Sequence, residues 1–92
     1  MRGTALITGA SSGLGAEFAK QLAVSADHLI LVARRGDKLR SLAESVSTST
    51  TIIECDLSLP QSPKWLCERI AELGLSVDVL VNNAGIAGPN LL

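Results

Sequence analysis

The stretch Thr8-Gly9-Ala10-Ser11-Ser12-Gly13-Leu14-Gly15 limits what this chain can fold into more than any other. It follows the apolar run Ala5-Leu6-Ile7 and leads into Ala16-Glu17-Phe18-Ala19-Lys20-Gln21-Leu22-Ala23-Val24, which reads as a helix. A strand that turns through glycines into a helix N-terminus aims bare N–H groups at one point, where the positive end of the helix dipole also lies. An anion fits there, a phosphate above all. Each glycine has a physical role. Gly9 permits the tight turn, Gly13 lets the backbone approach a pyrophosphate with no Cβ between, and Gly15 lets the helix pack closely on the sheet. The Ser11 and Ser12 hydroxyls add donors beside the phosphates.

The rest of the chain alternates regularly. Thr4 to Thr8 reads as a strand, and Gly13 to Val24 or Ser25 as a helix with Phe18, Leu22, Ala19 and Ala23 on its buried side. His28 to Ala33 is a continuous apolar run, as a parallel strand covered on both faces requires. Asp37 reads as an N-cap, with Leu39, Leu42, Ala43 and Val46 following at helical spacing. Thr50 to Cys55 is a third strand, rich in β-branched residues. Ser62-Pro63 opens a third helix, a hydroxyl cap and then a proline whose missing N–H costs nothing. Leu66, Ile70 and Leu73 form its stripe and Gly74 its terminus. Val77 to Val81 is a fourth strand, running into Asn82-Asn83-Ala84-Gly85.

The order β-α-β-α-β-α-β with short crossovers forces parallel strands and right-handed connections. The expected fold class is therefore α/β: a Rossmann-like, doubly wound parallel sheet, of which residues 1–92 supply the N-terminal half only. The fourth strand is expected to be an edge, with apolar surface left uncovered.

Composition narrows the partners. A net charge of −1 argues against nucleic acid or an anionic membrane as the main partner. No apolar run approaches the roughly 18 residues that span a bilayer. Met1-Arg2-Gly3 leads straight into a strand without a signal-peptide pattern, so the expected location is cytoplasmic. Cys55 and Cys67 are expected to be reduced packing residues, and with His28 they have no metal-ligand spacing.

The end of the second strand selects among dinucleotides. An acidic residue there would hold a ribose 2′-hydroxyl, as in NAD. This chain has Val32-Ala33-Arg34-Arg35 instead. Guanidinium forks match phosphate oxygens and stack on adenine, which favours a 2′-phosphate and hence NADP(H) over NAD(H). The glycine spacing, Gly-x-x-x-Gly-x-Gly, differs from the general Gly-x-Gly-x-x-Gly fingerprint. It also lacks the Lys and Ser or Thr that close a P-loop, which excludes an NTPase of that type.

With Thr8-Gly-x-x-x-Gly13-x-Gly15, Asp56 after the third strand and Asn82-Asn83-Ala84-Gly85 assembled, the chain resembles the short-chain dehydrogenase/reductase family from Thr8 to Gly85. The resemblance implies that Gly9, Ser11, Ser12, Gly13 and Leu14 line the pyrophosphate and adenosine ribose, and that Arg34, with Arg35, takes the 2′-phosphate. It implies that Asp56 bonds the adenine amino group beside the Leu57 backbone, and that Asn83, Ala84 and Gly85 run past the cofactor's ribose. Asn82 and Thr8 would tie two strand ends together. Read from residues alone, the alternatives are a loop cap for Asp56 and a strand-ending turn for Asn82-Asn83.

The family's reaction is hydride transfer between a nicotinamide and a carbonyl or alcohol. A tyrosine acts as acid or base, a lysine in Tyr-x-x-x-Lys lowers its pKa, and a serine orients the substrate oxygen. This sequence has no tyrosine, so no catalytic residue is assigned and the 92 residues alone are expected to be inactive. The expected function is the cofactor-binding portion of an NADP(H)-dependent oxidoreductase; the alternative is a non-catalytic nucleotide-binding or interaction module. A small carbonyl or alcohol is the expected substrate of the parent enzyme, and a second copy of the chain remains a candidate partner.

Overall fold

The structure, a computed structural model, describes residues 3–83. Its elements are β1 (Thr4–Thr8), α1 (Gly13–Ala23), β2 (His28–Ala33), α2 (Gly36–Ser45), β3 (Ser49–Glu54), α3 (Ser62–Glu72) and β4 (Val79–Asn82). The four strands form one parallel sheet in the order β3-β2-β1-β4. The chain steps outward from β1 to β3, then crosses back to place β4 on the far side of β1. That reversal is the topological switch point of a doubly wound sheet.

Strand side chains alternate between the two faces. Ala5, Ile7, Leu29, Leu31 and Ala33 pack with Ala19 of α1 and Leu39 and Leu42 of α2. Leu6, Ile30, Val32 and Ile53 pack with Leu66 and Ile70 of α3. Leu29, Ile30, Leu31 and Val32 of β2 are fully buried, each burial contributing about 1.5–3 kcal/mol. β4 pairs only with β1 among the described residues, and Leu80 is 58% exposed, so the edge expected from the sequence is present.

Several boundaries differ from the sequence reading, each for a local reason. On α1, Ala19 is buried but Phe18, Leu22 and Ala23 are only partly so. Ser62 is not the cap of α3: Gln61 holds that position without a side-chain bond, and Ser62 is the first helical residue, buried. At the other end, Gly74 has φ +73° and donates to Ala71 O, while Leu75 N–H reaches Ile70 O. This is the paired capping pattern that a left-handed glycine allows. Leu73, on the expected stripe, is 40% exposed, and Cys67 is exposed, which corrects its reading as a packing residue. Both cysteines are free. Val77 lies outside β4, and Asp78 Oδ2 accepts the Thr4 N–H at 2.8 Å. Both ring nitrogens of His28 are satisfied, by Ser49 Oγ and Thr51 Oγ1 at 2.7 Å each.

Candidate dinucleotide site

The switch point puts the C-terminal ends of β1 and β4 side by side, with Thr8 opposite Asn82. The turn out of β1 starts at Gly9, whose φ of +64° is the left-handed conformation that glycine alone adopts at no cost. Ala10 N–H donates to Val32 O at 3.1 Å and fixes the turn to β2.

Ser12 then caps α1. Its Oγ accepts the Gly15 N–H (3.1 Å) and donates to Gly9 O (3.0 Å), and its own N–H also points to Gly9 O (3.2 Å). Asn83, buried at the end of β4, donates from Nδ2 to the same Oγ (2.9 Å) and to Gly9 O (3.0 Å). The single hydroxyl proton of Ser12 is therefore engaged in capping α1. Thr8 Oγ1 donates to Asn82 Oδ1 (3.0 Å) and accepts the Asn83 N–H (3.0 Å), which is the strand-end tie the resemblance implied.

Gly13 and Gly15 have different physical reasons. A Cβ at Gly15 would overlap Gly9 O and stand 2.8 Å from Asn83 Nδ2. Gly15 is needed for the turn and Asn83 to close on the helix, a tighter demand than helix-to-sheet packing. A Cβ at Gly13 would meet nothing within 4 Å. The N–H groups of Ser11, Gly13 and Leu14 have no partner among the described residues. Leu14 is half exposed beside them.

The second-strand tip is built differently. Arg34 and Arg35 are exposed, and Arg35 Nη2 lies 3.8 Å from Asp37 Oδ2. Asp37 is not the cap of α2: Arg35 holds that position with no side-chain bond, and Asp37 lies in the first turn. The cap comes from across the sheet, where Glu54 Oε2 accepts the Gly36 N–H at 2.8 Å. A Cβ at Gly36 would sit 2.5 Å from that carboxylate oxygen.

Asp56 Oδ1 accepts the hydroxyl of Ser58 at 2.6 Å and its N–H at 3.0 Å, so this carboxylate closes its own turn. Those two bonds hold it below the usual carboxylate range; desolvation opposes them, and Arg34 adds the smallest lowering effect. The Leu57 side chain packs on the α3 face, near Leu6 and Leu66, on the groove that Leu80 also lines. Thus Gly9, Ser12, Gly13, Leu14 and Asn83 converge on one corner, with Ser11 on the same turn. Arg34, Arg35 and Asp56 stand at the neighbouring strand ends, and Ala84 and Gly85 lie outside the described residues. No group of three or more His, Cys, Asp or Glu that could hold a metal occurs among the described residues, and none of their helices is long and apolar enough to cross a membrane.

A glycine corner of this geometry at the switch point of a parallel sheet defines a Rossmann-like α/β fold. The short chain dehydrogenase family model matches residues 3–91, and the chain belongs to that family. It is 41% identical over 88 residues to the very-long-chain 3-oxoacyl-CoA reductase of Podospora anserina, covering 88% of this chain and 25% of that protein. It is 38% identical over 84 residues to the fatty acyl-CoA reductase of Acinetobacter baylyi, covering 88% and 28%. Among solved structures, the 3-oxoacyl (acyl-carrier-protein) reductase of Agrobacterium tumefaciens with NADP bound superposes with a TM-score of 0.79 at 34% identity, over 88% of this chain and 32% of that one. The L-sorbose reductase of Gluconobacter frateurii complexed with NADPH and L-sorbose gives 0.77 at 36% identity, over 90% and 33%. The chain spans about a quarter of the length of the curated relatives it matches.

Proposed function

We propose that this chain is the cofactor-binding portion of an oxidoreductase that reduces a carbonyl or oxidises an alcohol, and that it binds NADP(H) in preference to NAD(H). The supporting observation is the contrast at the β1–α1 corner. Gly15 is required by contacts inside the protein, whereas Gly13 faces open space with unpartnered N–H groups on either side of Ser12. Glycine at an exposed helical position costs about 0.5–1 kcal/mol relative to alanine, and nothing within the fold offsets it. A pyrophosphate seated on the Ser11, Gly13 and Leu14 amides gives the missing reason.

The residues present fit such a group. Ser12 and Asn83 hold the turn rigid without competing for the three amides. Arg34, exposed at the end of β2, would take the 2′-phosphate, while Arg35 already has Asp37 as a partner. Asp56 keeps one oxygen on Ser58, which leaves Oδ2 for an adenine amino group. The bound nicotinamide would supply the hydride; this chain's own residues bind and orient it. The relatives' names point to a carbonyl near an acyl thioester as one substrate class. The sequence has no tyrosine to move the proton, so turnover is not expected from these 92 residues. The second reading is a nucleotide-binding module without catalysis.

Titration of the chain with NADPH and NADH, followed by nicotinamide fluorescence, tests the cofactor reading. Arg34→Asp should weaken NADPH by about tenfold or more, on the scale of one lost charge-assisted bond, and improve NADH. Equal loss of both cofactors would refute the 2′-phosphate role. A Tyr-x-x-x-Lys encoded downstream in the same gene would favour the enzyme over the module.

A further inference from the structure

Glu54 has no role in the sequence reading. It ends β3 directly opposite Ala33, whose single methyl leaves room beside it at the end of β2. From there its Oε2 reaches the Gly36 N–H at 2.8 Å, the peptide that immediately follows Arg35. The fit is close: any side chain at position 36 would collide with the carboxylate, while Gly36 has an ordinary negative φ and no conformational need to be glycine. Glu54 and Gly36 are thus one unit, which takes an orphan N–H of α2 and puts a negative charge at the base of the Arg34–Arg35 loop.

We infer that Glu54 is a specificity-determining residue, which restrains the preference of this strand end for a 2′-phosphorylated dinucleotide. The inference rests on the cofactor reading above. A 2′-phosphate at Arg34 meets both the guanidinium and this carboxylate, and its own claim on the α2 amide is already met. A 2′-hydroxyl carries no charge and is indifferent to the carboxylate. The residue therefore acts on one cofactor and not on the other.

Glu54→Gln keeps an acceptor of the same shape for Gly36 and removes the charge. Measured on the full chain by fluorescence titration, it should tighten NADPH by about three- to tenfold at low salt, an effect that shrinks at higher ionic strength, and leave NADH within about twofold. Glu54→Ala also frees the amide, and should tighten NADPH at least as much. A urea titration of each variant confirms that it folds. If both cofactors bind but their ratio is unchanged in both variants, or NADPH weakens, Glu54 has no such role while the cofactor site stands. If the folded wild-type chain binds neither dinucleotide, the cofactor reading falls and this inference falls with it.

Discussion

The two strand-to-helix corners, β1–α1 and β2–α2, share a topology and treat their helix N-termini in opposite ways. At β1–α1 the local cap is complete: Ser12 takes the Gly15 amide, and Asn83 secures both Ser12 and Gly9. The amides of Ser11, Gly13 and Leu14 stay open. At β2–α2 there is no local side-chain cap, and a carboxylate from the next strand closes the Gly36 amide. Positive charge there resides in flexible guanidinium groups instead. One corner is a cross-braced backbone turn with open amides; the other carries its own anion and presents side chains. Backbone amides recognise what every diphosphate shares, whereas side chains at the second corner can discriminate between ribose substituents.

The sharpest way to break this comparison is to place a methyl at each glycine of the first corner. Gly15→Ala drives a Cβ into Gly9 O and toward Asn83 Nδ2, two groups held by several bonds. It should cost about 3 kcal/mol, a large share of the stability of a chain this size, and the urea midpoint should fall accordingly. Gly13→Ala meets nothing in the protein. It should leave the fold unchanged or raise its stability by up to about 1 kcal/mol, and still reduce NADPH affinity by about tenfold or more. If Gly13→Ala binds NADPH as the wild type does, the open amides are not the phosphate site.

Asn83→Ala comes next in size. It removes two hydrogen bonds at a buried position but leaves Gly9 O with both donors from Ser12. The expected loss is about 1–2 kcal/mol by denaturant titration, smaller than at Gly15 because no atoms overlap. Affinity for NADPH and NADH should fall together, since the first corner does not see the 2′ position. Selective loss of one cofactor would mean that the two corners are not separate in function.

These predictions also mark what could be read from sequence. The element order, the parallel sheet, Gly9 and the Gly74 terminus were legible because each follows from local rules: apolar period, crossover length, or a backbone conformation only glycine adopts at no cost. The different reasons for Gly13 and Gly15 were not. The atom that excludes a Cβ at Gly15 belongs partly to Asn83, far along the chain, and proximity across a sheet needs the register. The same holds for the α2 cap. Asp37 looked right by spacing, but Glu54 opposite Ala33 reaches Gly36 first. A usable signal was present in Arg34-Arg35-Gly36, which offers no hydroxyl or amide to cap the helix it precedes.

Asp56 gives the smallest test, and it bears on where the second corner ends. Its carboxyl is held below its ordinary value first by the Ser58 hydroxyl, next by the Ser58 amide, and least by Arg34. A carboxylate depressed in the folded state stabilises the fold at pH values above its unfolded pKa of about 3.9, and that contribution disappears as the pH falls through the lower folded value. Ser58→Ala should therefore raise the Asp56 pKa toward the ordinary range, as read by carboxyl NMR, and make the loss of stability just below about pH 4 slightly shallower. Arg34→Ala should move it less. If Arg34→Ala moves it more, Asp56 is electrostatically part of the arginine corner, and substitutions there would alter affinity for NADH as well as NADPH, blurring the division between the two corners.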